Sequence, residues 1–139
     1  MVKDKNEMIP LETGDLNIRE IDAVLNTLPV DITFVGSSDE VRFFNRIKDR
    51  VFTRARGVIG KKVQNCHPKK SLDTVTQILR DFKAGKRNSA EFWIDLDGRL
   101  ILIRYFPVRD DDGGYLGCLE VSQDITEIKK IEGEKRLLD

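Results

Sequence analysis

The sequence predicts an α+β domain built on an antiparallel sheet, and three observations predict it. β-rich runs flank a central helical block, in the order helix, strand, strand, short helices, long helix, strand, strand, strand, helix. The dipeptide Asp97-Gly98 stands between two apolar-rich runs, a strong short-range sign of a two-residue hairpin. The strands also arrive in adjacent runs rather than singly between helices, which points away from the strand-helix-strand units of a parallel nucleotide fold.

Each element has its own grounds. Residues 1–16 read as a polar lead. In "NIREIDAVLNTLP", Ile18, Ile21, Leu25 and Leu28 recur at helical spacing, with Asn17 and Glu20 as an N-cap pair and Pro29 as the stop, so the spacing predicts a helix over 17–28. "VDITFVG" and "VRFFNR", separated by the polar "SSDE", read as a hairpin. Between Ile47 and Gly60 the pattern breaks into short helices and loops. "SLDTVTQILRDFKAG" is the strongest helix: Leu72, Val75, Leu79 and Phe82 share a face, Ser71 caps the start, Asp73 and Lys83 suit the two ends of the dipole, and Gly85 suits the left-handed position after the end. "SAEFWIDL", "RLILIRYFPV" and "YLGCLEVSQDI" follow as three strands, and "TEIKKIEGEKRLLD" as a charged closing helix.

Composition sets the limits on function. A chain of 139 residues, 40% hydrophobic and 35% charged, supports one compact core with short tails. Lys plus Arg equal Asp plus Glu at 24 each, so no overall basic footprint argues for nucleic acid or an anionic membrane as partner. No apolar run approaches the roughly 20 residues of a spanning helix, and "MVKDKNEMIP" lacks a secretory apolar stretch, so a soluble cytoplasmic protein is expected. Two cysteines, Cys66 and Cys118, with a single histidine make neither a disulfide framework nor a zinc site. Enzyme readings find no convergent base, nucleophile and oxyanion donors. Asp95 and Asp97 flank a turn that favours aspartate, "DDDGG" lacks calcium-loop spacing, and "GVIGKK" lacks the context and ending of a phosphate loop. The chain is therefore not expected to be an enzyme.

Taken in order, "LNTLPVDITFV", "VRFFNR" ending on Asn45, "GVIGKKVQNCHP", "YFPVRDDDGGYLG" and "DITE" at Asp124 to Glu127 resemble a PAS domain, a small sensor and interaction module of bacterial signalling proteins. The motifs span residues 17–127, leaving 128–139 as a tail or the start of a signalling helix. The lead "IPLETGDLNIREIDAVLNTLPVDITFV" is more narrowly similar to the C-terminal PAS-type domain of prokaryotic proteins that also carry a hemerythrin-like domain, which implies a longer parent protein. The resemblance implies a five-stranded antiparallel sheet of order 2-1-5-4-3, with helices packed on one face and flanking N- and C-terminal helices. It also implies a cavity between helices and sheet that holds heme, flavin, a metabolite or nothing. Phe44, Phe52, Val58, Ile59, Leu79, Phe92, Trp93, Leu102 and Leu119 are of the right type to line it, although each strand has two faces and alternation alone does not assign them.

The pair Cys66-His67 stands just before the long helix. In the family such a histidine-proline pair shapes a corner, and that is the preferred reading. The chemical alternative is axial ligation of heme iron by His67, the sole imidazole, or by a Cys66 thiolate. Flavin photochemistry is not expected, because the position of the adduct cysteine falls on Val63. Beyond the domain, Ile128, Ile131 and Leu138 have the spacing of a coiled-coil start, weakened by Gly133. Two functions follow as expectations: a sensor that passes a small ligand's binding to a flanking helix or partner, or a ligand-free module for homodimerisation.

Overall fold

The computed structural model describes residues 4–138. Residues 1–3 and 139, at the outer ends of the expected lead and tail, lie outside the described residues.

The lead is not a plain linker. β1 (Met8–Leu11) pairs antiparallel with β2 (Gly14–Asn17), placing Ile9 opposite Leu16. Gly14 makes the reversal at a φ of +136°, which a side chain rarely adopts. Pro10 and the shortness of the runs hid this hairpin from the period-two pattern. Asn17 then begins α1 (Ile18–Thr27): its side chain accepts from the Glu20 amide at 2.8 Å, and Glu20 accepts from the Asn17 amide at 3.0 Å, so the expected capping box closes.

β3 (Asp31–Gly36) and β4 (Val41–Phe44) form the expected hairpin. The stretch between β4 and the long helix holds two 3-10 turns, Arg56–Val58 and Val63–Cys66. α2 (Lys69–Lys83) starts two residues before the expected Ser71, with Pro68 at its N-cap and no side-chain cap. Ser71 instead turns its hydroxyl to the Pro68 carbonyl at 3.3 Å, and Asp73 falls beyond the first turn. Gly85 takes the left-handed position at φ +71°, as the sequence indicates.

β5 (Ala90–Leu96) and β6 (Arg99–Arg109) join through Asp97 and Gly98, both left-handed at φ 53° and 83°, and β7 (Tyr115–Asp124) completes the sheet. The order is β4-β3-β7-β6-β5 with every pair antiparallel. Counting these five strands alone, that is 2-1-5-4-3.

Register decides which residues meet. Ala90, Tyr105, Glu120, Thr33 and Phe44 lie side by side across the sheet, as do Pro107, Cys118, Val35 and Val41. This inner face packs on Val75, Ile78, Leu79 and Phe82 of α2. The other face carries Phe106, Leu119, Phe34 and Phe43 in one row and Trp93 with Leu102 in another. Trp93 is 67% exposed there.

The closing helix is not formed. After β7 there is one 3-10 turn, Ile128–Lys130, and no regular element from Ile131 to Leu138. Ile131, Leu137 and Leu138 are exposed, and Gly133 is left-handed at φ +65°. A short helix with no surface to bury its apolar stripe does not recover its nucleation cost.

Candidate functional site

The inner sheet face and the Thr53–His67 segment flank a cavity of about 270 Å³, lined by Thr33, Val41, Thr53, Arg54, Ala55, Val58, Val63, Cys66, His67 and Glu120. Val63, His67 and Glu120 also line an apolar lobe of about 20 Å³, closed by Val35, Val75, Ile78, Leu79, Tyr105 and Cys118. A wider, open trough of about 640 Å³ runs elsewhere, along the β4 edge past Arg42, Phe43, Phe44, Arg46, Arg56 and Ile59. The smaller space is the candidate site, because it is more enclosed and because ionisable groups converge on it.

Glu120 is its centre. Strand alternation turns it inward from the middle strand between Cys118 and Ser122, and it is only 8% exposed. Burial pushes its carboxyl above the usual range, against the pull of Arg54 and Arg50 and with a push from Asp31. Arg54 reaches it at 3.4 Å from the loop after β4. A second pair, Arg50 and Asp31 at 3.8 Å, lies beside it and joins the site through Arg50 Nη2, which donates to the Thr33 hydroxyl at 3.4 Å. Tyr105 stands opposite Glu120 in register, its phenol pushed far up by burial and by that carboxyl. The Cys118 thiol is pushed up to about 12 by burial, with Glu120 and Asp39 adding to it, so it is a packed thiol rather than a nucleophile.

The network is anchored by Asn45. Its Oδ1 accepts from the Ile32 amide at 2.9 Å and from Arg50 at 3.0 Å, while Nδ2 donates to the carbonyls of Leu25 at 3.0 Å and Val30 at 2.9 Å. One side chain thus ties the end of α1, the start of β3 and the guanidinium that holds Asp31.

The residues singled out from sequence separate into two groups. His67, Cys66 and Leu79 line the cavity or its lobe, and so does Val58. Phe44 lies on the inner face but at the sheet edge, under the Arg50 guanidinium at 5.5 Å, and Ile59 faces the open trough. Phe52 lines neither part of the cavity and serves through its backbone, accepting from Arg50 Nε at 2.8 Å and donating to Asp31 at 3.1 Å. Trp93, Leu102 and Leu119 are on the opposite face of the sheet, and Phe92, although inward by register, is exposed at the edge strand. Because both faces carry apolar residues, alternation left the parity of these strands open. Glu120, Arg54, Tyr105 and Thr33 were missed. The available signal was a lone carboxylate midway along an apolar-rich central strand.

His67 forms the corner between the Val63–Cys66 turn and α2, and its half-buried ring faces both parts of the cavity. Burial and then Arg54 hold its pKa below the ordinary value, so the ring is neutral. Cys66 is exposed, with Sγ 3.6 Å from the Lys62 carbonyl. Heme does not fit these surroundings. The space beside the imidazole, about 270 Å³ with a lobe of about 20 Å³, falls below the roughly 300–1,000 Å³ of drug-sized pockets, and its walls carry an ion pair. Among the described residues, no group of three His, Cys, Asp or Glu side chains is placed to hold a metal ion, and no helix is long and apolar enough to cross a membrane.

The exit from β7 is fixed by hydrogen bonds. Asp124 accepts from the Thr126 amide at 3.0 Å and hydroxyl at 2.6 Å, which holds its carboxyl below the usual range. The Thr126 hydroxyl in turn accepts from the Leu100 amide at 2.9 Å, and the Ile125 amide donates to the Leu100 carbonyl at 2.9 Å.

Comparison with known proteins agrees with this architecture. A crystal structure of a C-terminal domain from Streptococcus mutans is 30% identical, with 93% of this chain and 100% of that one covered at a TM-score of 0.86. The PAS domain of Bordetella pertussis BvgS (17% identical, 81% and 89% covered, TM-score 0.57) and a sensory box sensor histidine kinase of Vibrio cholerae (15% identical, 76% and 89% covered, TM-score 0.56) share the fold. No curated protein matches the chain. The family profile described as "PAS domain" matches residues 21–126, and with the five-stranded sheet and its flanking α2 this establishes that the chain belongs to the PAS domain family of sensory and signalling modules.

Proposed function

We propose that this domain is a ligand-gated sensor, in which a small molecule held between α2 and the sheet alters β7 and, through its end, a flanking segment or partner. The observation that carries this reading is Glu120, a buried carboxyl on the central strand facing a cavity instead of packed core. An ionised group in such a position carries a desolvation cost of several kcal/mol, offset only in part by the long contact to Arg54 and the nearby charge of Arg50. Glu120 stands four residues before Asp124, about 13 Å along the strand, so a shift at the cavity reaches the Asp124-Thr126 exit along one element. The ligand biases the two arrangements by no more than its difference in affinity for them. The lead's similarity to domains found beside a hemerythrin-like domain supports action within a longer parent protein.

The test is a thermal-shift screen of small metabolites against the wild-type chain and Val58→Trp, which fills the cavity from a half-buried wall. A compound that stabilises only the wild type and alters hydrogen exchange at the Ile125 and Lys129 amides supports the reading. Compounds that act equally on both proteins, or none that act on either, refute it.

A second reading rests on the opposite sheet face, where Phe106, Leu119, Phe34 and Phe43 form a row and the exposed Trp93 stands beyond the intervening row of Glu91, Arg104, Val121 and Ile32. An apolar face of this kind supports homodimerisation. Sedimentation equilibrium is expected to give a dimer that Trp93→Glu weakens at least about tenfold. A wild-type chain that stays monomeric at high micromolar concentration rules it out.

A further inference from the structure

We infer that the cavity selects a small, net-neutral molecule that carries a hydrogen-bond donor and an acceptor within a few bonds of each other. This rests on the ligand-binding reading above and specifies its chemistry.

Size comes first. A space of about 270 Å³ lies just under the roughly 300–1,000 Å³ of drug-sized pockets, so it takes a small metabolite rather than a large cofactor. The lobe of about 20 Å³, walled by Val35, Val75, Ile78 and Leu79, admits one methyl-sized end.

Charge is next. The ionic groups around the cavity are two guanidinium groups, Arg54 and Arg50, and two carboxyl groups, Glu120 and Asp31, paired at 3.4 Å and 3.8 Å. With both carboxyls ionised, the set sums to zero, and the neutral His67 ring adds nothing. A cationic ligand takes Glu120 from Arg54 and leaves a guanidinium without its counter-ion; an anionic ligand takes Arg54 and leaves a buried carboxylate bare. Either exchange forfeits what it gains. A ligand with both functions takes neither partner away: its donor binds Glu120 and its acceptor binds Arg54.

The pair has the capacity for this insertion. The Arg54 side chain makes one hydrogen bond among the described residues, the 3.4 Å contact to Glu120, out of five N–H donors. Asn45 Oδ1, the Asn45 carbonyl, the Phe52 carbonyl and Asp31 already engage Arg50, so Arg54 is the guanidinium with donors to offer. The Tyr105 ring, in register with Glu120, forms part of the wall where the apolar lobe meets the carboxyl. Two chemistries meet the description: an α-amino acid zwitterion, and an uncharged cyclic or linear amide of similar size.

The full chain, labelled with 15N, is titrated with leucine, caprolactam, isopentylamine and 4-methylpentanoate, and separately pressurised with xenon, following the amides of Thr33, Val63 and Glu120. Leucine or caprolactam is expected to bind at least about 30-fold more tightly than the amine or the carboxylate, because each of those leaves a buried charge unpaired. Glu120→Gln separates the two sources: it weakens a zwitterion at least about tenfold and an amide only about threefold, since the glutamine carbonyl still accepts from an N–H. Val58→Trp abolishes either response, and serves alone if Glu120→Gln does not fold. If the amine or the carboxylate matches the neutral probes, the inferred chemistry is wrong. If xenon moves the three amides while no neutral probe does, the cavity is open but the chemistry is again wrong. If nothing including xenon moves them, this inference and the ligand-binding reading fall together.

Discussion

Asn45→Ala removes one side chain and strands four partners. Asn45 is 0% exposed, and its amide serves the Ile32 N–H, the Leu25 and Val30 carbonyls and Arg50. Arg50 loses least, since the same Nη1 already donates to the Asn45 backbone carbonyl and Nε to the Phe52 carbonyl at 2.8 Å. The Ile32 N–H is fully buried and costs about 2 kcal/mol when unpaired; the two carbonyls belong to half-buried residues and cost about 1 kcal/mol each. The sum is about 4 kcal/mol, or about 14 °C in melting temperature for a chain of this size. Urea unfolding followed by circular dichroism measures it. Asn26→Ala is the control: it removes one exposed hydrogen bond, the 2.7 Å contact from the Arg46 amide, and is expected to cost about 1 kcal/mol or less. An Asn45→Ala loss within about 1 kcal/mol of wild type, or one no larger than the Asn26→Ala loss, refutes the argument that burial makes this amide the anchor of the site.

Gly117→Ala places a Cβ 2.2 Å from the Val35 carbonyl oxygen and 2.7 Å from the Phe34 ring, so β3 and β7 must separate. A loss of about 3 kcal/mol or more in the same urea assay is expected, and near-neutral behaviour contradicts the Gly36-Gly117 register. His67 has a folded pKa below its ordinary 6.5, so its contribution to stability is present above pH 6.5 and is lost as pH falls through the folded value. Stability of the wild type measured at pH 7.5 and pH 5 is therefore expected to fall more than that of His67→Gln, and equal slopes in the two proteins contradict the half-buried neutral ring. Glu120 contributes with the opposite sign: its folded pKa lies above the ordinary 4.5, and that contribution is lost as pH rises through it.

What this sequence determined by itself is what neighbours a few residues apart can settle. Asn17 and Glu20 close a capping box across three residues, Asp97 and Gly98 supply consecutive left-handed conformations, and Val75, Leu79 and Phe82 fall on one stripe of α2, so their structures follow from local geometry. The order of these elements, with the family motifs, also carried the sheet topology. The site was decided elsewhere. Glu120 meets Arg54 across 66 residues of chain, and whether a strand residue turns toward α2 or toward solvent depends on a register that the pairing strands set together. Trp93, Leu102 and Leu119 therefore read as cavity lining from their apolar character and lie on the outer face in the fold, while Glu120 and Tyr105 read as unremarked strand residues and face inward. The C-terminal segment marks the same boundary: its apolar spacing describes a helix, and helix formation there requires a surface to pack against, which the single domain does not supply.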